Sequence, residues 1–173
     1  MSDLKDPARQ KDSPPVTRAI EGVAVCRVVP DLWPLQRAVR LAMLLDVPRA
    51  YGSTFAREVA FEDQVWLDRI RGASSWLALR GDLPLGTLTM YQTPGRPQDE
   101  ANLTSMWVAA HARGTGVADV LVTALLDHAR DLGLRRVTLD VADENGRAAA
   151  FYQRLGFVRT GRTGELPHVP GVG

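Results

Sequence analysis

Residues 113–118 read RGTGVA, and they stand between an apolar run ending at Val108 and a helical pattern opening near Gly116. Two glycines let the backbone come close to a ligand, and the first amides of the following helix have no partner within it. Those amides carry the positive end of the helix dipole, so the turn suits an anion, a pyrophosphate above all. The same residues also read as a tight strand-to-helix turn with no ligand. Spacing separates the phosphate-binding patterns. A P-loop requires Lys followed by Ser or Thr after its last glycine, whereas Val117 and Ala118 stand there. A dinucleotide fingerprint requires a third small residue where Asp119 stands, and only Asp140, at the end of the next strand, imitates its ribose-binding acid.

Outward from the loop, Val120, Leu121, Ala124, Leu125, His128 and Leu132 recur at helical spacing until Gly133. Val137, Leu139 and Val141 alternate as a strand, Asn145 to Leu155 forms a last helix closed by Gly156, and Phe157 and Val158 begin a final strand. Upstream, Ala101 to Val108 is a strand, TPGRPQDE a loop, and the runs Trp76 to Leu79 and Leu85 to Tyr91 flank Gly81-Asp82 as an antiparallel hairpin. Val23 to Val29 is a first strand broken by Pro30. Asp31 then caps a helix carrying Leu32, Leu35, Val39, Ala42 and Met43. VPRAYGSTFARE reads as loop, and Phe61, Val65, Trp66 and Ile70 mark a second amphipathic helix stopping at Gly72. Hairpins first and a strand-helix-strand-helix unit after them predict an α/β (α+β) fold. Its mixed, mainly antiparallel central sheet has about six strands and is flanked by about four helices.

A chain of 173 residues with 45% hydrophobic and 24% charged residues is expected to form one globular domain. We place that domain at 19–161, between an N-terminal arm at 1–18, rich in charge and proline, and an irregular tail at 162–173. With 21 Lys+Arg against 20 Asp+Glu, the charge of +1 provides no broad electrostatic footprint for nucleic acid or an anionic membrane. The single cysteine, Cys26, excludes an internal disulfide and sits in an apolar run as a buried thiol. His111, His128 and His168 lack ligand spacing, so no metal site is expected. The opening residues lack a secretory h-region and no apolar run is long enough to span a bilayer, so a cytoplasmic location is expected.

The loop and the segment NGRAAAFYQRLGF (145–157) together resemble the GNAT superfamily of N-acetyltransferases. Its acetyl-CoA loop reads Arg or Gln, two residues, Gly, one residue, then Gly or Ala, and Arg113, Gly116 and Ala118 match it. Asn145, Ala148, Tyr152, Gly156 and Phe157 stand where the superfamily's last helix and strand place those residue types. PRAYGSTFARE also looks like the helix-to-helix connection of many bacterial members. Two motifs in order, with a helix and a strand between them, are more specific than either alone.

The resemblance implies a GNAT-like acyl-CoA N-acyltransferase fold that uses acetyl-CoA as co-substrate. Backbone groups of Met106, Trp107 and Val108 would pair with the pantetheine arm. The amides of Arg113, Gly114, Thr115, Gly116, Val117 and Ala118 would hold the pyrophosphate, Asn145 would bond further along the cofactor beside Ala148, and Tyr152 would face the thioester sulfur. Ala110 departs from the proline that many members carry before the loop. The superfamily usually ends with a strand inserted between those beginning near Val137 and Phe157. Here the apolar runs stop first, so a last strand is expected to be missing. The gap would be left open beside the thioester or filled by a partner subunit, making a homodimer one expected outcome.

The chemistry sets its own requirements. A free amine has a pKa of ~10 and must lose a proton before attacking a carbonyl. The attack builds an oxyanion, for which an amide at Trp107 or Val108 is the analogue of a preorganised donor. The thiolate leaving group, of parent pKa about 8.5, benefits from an acid, and Tyr152 can supply the proton or can simply pack on the stripe Ala148, Phe151, Leu155. Asn145 also reads as the N-cap of its helix. Glu100 is the candidate general base, with Asn102 and Ser105 as further residues able to position a water. The acceptor is a small-molecule or protein amine, held around Arg49 to Glu58 and Arg159 to His168. The leading reading is direct acetyl transfer from acetyl-CoA to a primary amine through a tetrahedral intermediate. A non-catalytic acyl-CoA-binding module is the alternative, and a nucleotide-dependent oxidoreductase rests only on the glycine turn and Asp140.

Overall fold

In the computed structural model, which describes residues 16–143 and 145–162, six strands form one sheet in sequence order. β1 (Val16–Ile20) and β2 (Val23–Arg27) make a hairpin, and β3 (Ser74–Arg80), β4 (Leu83–Tyr91) and β5 (Glu100–Val108) continue antiparallel. β6 (Arg136–Thr138) closes the order as the one parallel neighbour. Between β2 and β3 come α1 (Trp33–Asp46), α2 (Phe55–Val59) and α3 (Asp63–Gly72). α4 (Val117–Asp131) is the crossover between β5 and β6, and α5 (Gly146–Arg154) follows. Among the described residues no helix is long and apolar enough to cross a membrane.

Strand alternation sorts the core onto two faces. Val23 and Val25 of β2 join the large cluster under α4, with Trp76, Leu88, Leu121 and Leu125, while Cys26 and Val28 face α1 with Val39 and Leu77. α4 earns its central place by a broad apolar stripe, since Val117, Val120, Leu121, Ala124, Leu125 and Ala129 are all buried. His128 lies edge-on to Trp76 at 5.4 Å on the same side, and burial holds its pKa below the ordinary value.

Three departures from the sequence reading have physical causes. First, the segment expected as loop contains α2, which Thr54 caps by accepting from the Arg57 amide at 3.2 Å, so the described residues form five α-helices rather than about four. Second, β1 begins at Val16, inside the expected arm at 1–18, because β2 offers it an unpaired edge; residues 1–15, and 163–173 of the expected tail, lie outside the described residues. Third, the final strand at Phe157 does not form. The Phe157 amide instead donates to the Tyr152 carbonyl at 3.0 Å and its ring packs on Tyr152, which turns the chain back onto α5 and leaves Val158 exposed. The sheet reaches six strands by gaining β1 and lacking that one.

α1, α2 and α3 are tied together by an ion cluster rather than by apolar packing alone. Glu58 is completely buried, and its two carboxylate oxygens accept from Arg40 Nη2 and Arg69 Nη1, each at 2.8 Å, and from Arg40 Nε at 3.0 Å. Burial by itself would raise the carboxyl pKa, but the hydrogen bonds from Arg40 and Arg69 outweigh it and hold the group at about 2. A depressed folded-state value means that this stability is present above pH 4.5 and is lost as pH falls through about 2. Glu58→Gln is expected to lower the unfolding free energy at neutral pH by about 3 kcal/mol, because it leaves the largely buried Arg40 guanidinium without its counter-charge. Urea unfolding checks this, and the gap between variant and parent should narrow as pH falls from 4.5 towards 2.

Candidate active site

β5 has two neighbours along only part of its length. Glu100, Ala101 and Asn102 pair with Arg136, Val137 and Thr138 of β6, and there the parallel ladder ends. On its other side β5 stays paired to β4 as far as Val108. Within that ladder β4 advances from Thr87 to Thr89 while β5 advances from Trp107 to Thr104, so β5 carries one extra residue. The bulge is Ser105, a non-glycine residue at φ +53°, whose Oγ accepts from Arg40 Nη1 at 3.2 Å.

Beyond the bulge, the backbone groups point alternately inward and outward. The Ala109 amide donates to Leu85 in β4, and the Trp107 carbonyl faces Gly86. Met106 and Val108 therefore present their peptide groups to the open side, and side chains from outside the sheet meet both carbonyls: Tyr51 donates to Met106 at 2.9 Å and Arg113 Nε to Val108 at 3.0 Å. Of the three backbone positions expected here, Trp107 reaches the site only by its side chain, whose indole donates to Asp46 at 2.8 Å.

The loop at 113–118 opens onto the same side. Gly114 and Gly116 sit at φ +79° and +88°, a left-handed conformation that the pair of glycines permits at no steric cost. Thr115 braces the turn by donating to the Ala112 carbonyl at 2.6 Å. Gly116 is the N-cap of α4 and offers no side-chain cap, so the amides that begin α4 at Val117 and Ala118 are free for a ligand. Asp119 in that first turn would repel an anion, and Arg154 pairs with it at 2.8 Å. Arg113 itself points elsewhere. Its guanidinium pairs with Asp46 at the end of α1, so Asp46 gathers Arg113 and Trp107 together.

Asn145 caps α5 by accepting from the Ala148 amide at 3.1 Å, as its capping role requires. Tyr152 is buried between Phe151 and Phe157, at centroid distances of 5.0 and 5.5 Å. Burial, with a smaller contribution from Tyr51 nearby, pushes its phenol pKa up to about 12, so it stays protonated throughout the physiological range. Burial also raises the Tyr51 phenol to about 12. Glu100 is not brought to this end. It pairs with Arg136 at 2.5 Å, five residues from Ser105, which is about 16 Å along a strand.

Sequence reasoning included Tyr51 and Glu58 only within the segment Arg49 to Glu58 and missed Asp46, Arg40 and Arg69, since residues far apart in the chain meet only through the helices. Gly86 had a readable signal, because glycine inside a strand marks close approach of another backbone. A Cβ there would lie 2.7 Å from the Trp107 carbonyl and 3.2 Å from Val117 Cγ1, so the absent side chain is what seats the start of α4 against β4 and β5.

The acetyltransferase (GNAT) family model matches residues 41–157, more than half of the chain. The uncharacterized N-acetyltransferase YdgE of Bacillus subtilis is 36% identical over 76 residues, covering 44% of this chain and 48% of that protein. The mycothiol acetyltransferase of Cellulomonas flavigena is 33% identical over 150 residues, covering 80% of this chain and 41% of that protein. The chain thus spans less than half the length of either relative. Among solved structures, the aminoglycoside acetyltransferase meta-AAC0020 from a soil metagenomic sample superposes with a TM-score of 0.69 at 14% identity, covering 86% of this chain and 97% of that one. A predicted acetyltransferase of Clostridium acetobutylicum, solved with acetyl-CoA, gives 0.65 at 16% identity, with 83% and 95% covered. At these identities the likeness is one of fold.

The seating of α4 is open to a direct check. Gly86→Ala is expected to cost about 1–3 kcal/mol, since a rigid carbonyl blocks the added methyl. Gly72→Ala, at a helix end with nothing within 4 Å, should be neutral or slightly stabilising in the same chemical denaturation series.

Proposed function

Because the chain belongs to the acetyltransferase (GNAT) family, we propose that it transfers an acetyl group from acetyl-CoA directly to a primary amine of a small molecule. The observation that carries this reading is the parting of β5 from β6 beyond Asn102 and Thr138, with the uncapped start of α4 beside the gap. The residues fit an extended thioester with a diphosphate at one end. The free amides at Val117 and Ala118 suit the diphosphate, and the outward peptide groups of Met106 and Val108 suit an amide-bearing arm. Acetyl-CoA supplies the activated acyl carbonyl. For it to bind, Tyr51 and Arg113 must release the two carbonyls they now bond, and Arg113 becomes a partner for phosphate by exchanging Asp46 for it.

Val108 offers its outward amide to the oxyanion that forms as the amine attacks. A fixed donor of this kind costs no reorganisation at the moment of reaction. Tyr152, kept protonated by burial, holds the proton that the departing thiolate requires. No carboxylate is assigned as base. Glu100 lies at the paired end of β5 and is bound to Arg136, whereas Ser105 stands at the open end and suits the positioning of a water that takes the amine's proton.

Two measurements test the proposal. Acetyl-CoA at 100 times its dissociation constant should add ~2.7 kcal/mol, a rise in Tm of about 5–11 °C, while NADH should not shift it. A shift with NADH alone overturns the reading, and acetyl-CoA binding without turnover across an amine panel leaves the non-catalytic module. Tyr152→Phe should lower kcat about 10²-fold with little change in acetyl-CoA affinity; unchanged turnover would remove the phenol from the acid role.

A further inference from the structure

Beneath α1 and α3, against β3, β4 and β5, lies a cavity of about 360 Å³. Among the described residues its only charged lining side chains are Arg40 and Arg69, and none of those described is acidic. Glu58, buried behind them, balances one of the two charges, which leaves a net positive charge facing the space. Arg69 uses one nitrogen of its guanidinium on Glu58 and is 43% exposed, so the rest of its fork is open to a ligand. Two further lining residues carry buried polar atoms with no hydrogen-bond partner among the described residues, Gln36 Oε1 and Trp66 Nε1, and Trp66 is only 2% exposed. Such atoms are costly to leave unpaired. Ser105, the bulge residue of β5, is a wall of the same cavity, so the space abuts the strand segment that ends at Met106 and Val108.

We propose that this cavity is the acceptor pocket and that it selects amines that also carry a carboxylate, paired by Arg69 and the Trp66 indole, with the amine at the Ser105 end. The inference rests on the transferase reading given above. Its physical basis is the sign of the pocket. A compound with several ammonium groups meets only guanidinium charge, whereas a carboxylate meets unfilled N–H donors. The same field disfavours the ammonium form of the acceptor, which eases loss of the proton without a carboxylate base. Gln36 Oε1 supplies an acceptor for an N–H of the bound molecule.

The test uses the full chain with saturating acetyl-CoA and three matched pairs: leucine, phenylalanine and methionine, each against its decarboxylated amine. Thiol release should favour the amino acid of at least one pair by about tenfold in kcat/KM, the size of one charge-assisted contact. Arg69→Gln should abolish that preference and Arg69→Lys should restore part of it. Equal or reversed preference in all pairs, or a preference that survives Arg69→Gln, overturns the proposal. Binding is read separately from turnover by the indole N–H resonance of Trp66, identified by its loss in Trp66→Phe. A shift with an amino acid but not with its amine supports the pocket even if no transfer occurs, in which case the transferase reading alone fails. No shift with any of the six compounds, in a protein that binds acetyl-CoA, removes the pocket and leaves the transferase reading standing.

Discussion

A strand that has two neighbours at its start and one at its end must find other partners for the peptide groups on its free side. β5 meets that constraint beyond Asn102, where β6 no longer accompanies it. Unpaired backbone groups at a partly buried edge are unfavourable, and here Tyr51 and Arg113 satisfy the carbonyls of Met106 and Val108 from outside the sheet. These bonds are side-chain bonds at a surface cleft, so an amide-bearing ligand can replace them without disturbing the sheet. The open edge is therefore both a structural problem and the feature on which the proposed site rests.

The geometry of that edge depends on a buried charge cluster some distance away. Ser105 holds a left-handed backbone conformation inside a strand, a strained arrangement for a residue with a Cβ. Arg40 bonds its hydroxyl, and Arg40 is in turn held by two bonds to Glu58. The ion cluster that joins α1, α2 and α3 thus also steadies the bulge that directs Val108 outward. Buried ion pairs are seldom efficient sources of stability, since desolvation offsets much of the attraction. Here the cluster also places a positive charge beside the cavity under α1 and α3.

Charge is distributed along the site in a consistent order. At the α4 end, the helix dipole and free amides favour an anion, with Asp119 neutralised by Arg154. In the middle, Tyr152 is a neutral phenol packed between aromatic rings and Tyr51 a neutral phenol beside Arg40. At the far end Arg40 and Arg69 again favour an anion. A molecule held across the centre meets neutral proton donors between two cationic ends.

Much of this was legible in the sequence where the signal is local. Loop 113–118 with α4, the hairpin of β3 and β4, and the Asn145 cap all depend on neighbours in the chain, through glycine conformation, periodicity and side-chain capping. The final strand was misread because an apolar pair, Phe157 and Val158, carries no information about whether its amide is already used; the bond back to Tyr152 decides that. α2 was missed because five residues have too little periodicity to register. Glu100 was chosen for its type and strand face, and its distance from the open end follows from where β6 pairs. By itself, then, the sequence determined the glycine turn at 113–118, α4 and the position of Tyr152 on its helix, because those depend on contacts within a few residues. Only the tertiary structure decided where β5 opens, which tyrosine shares the centre with Tyr152, and that Glu58 binds Arg40 and Arg69. Those are contacts between elements, set by sheet register and helix packing rather than by any local preference.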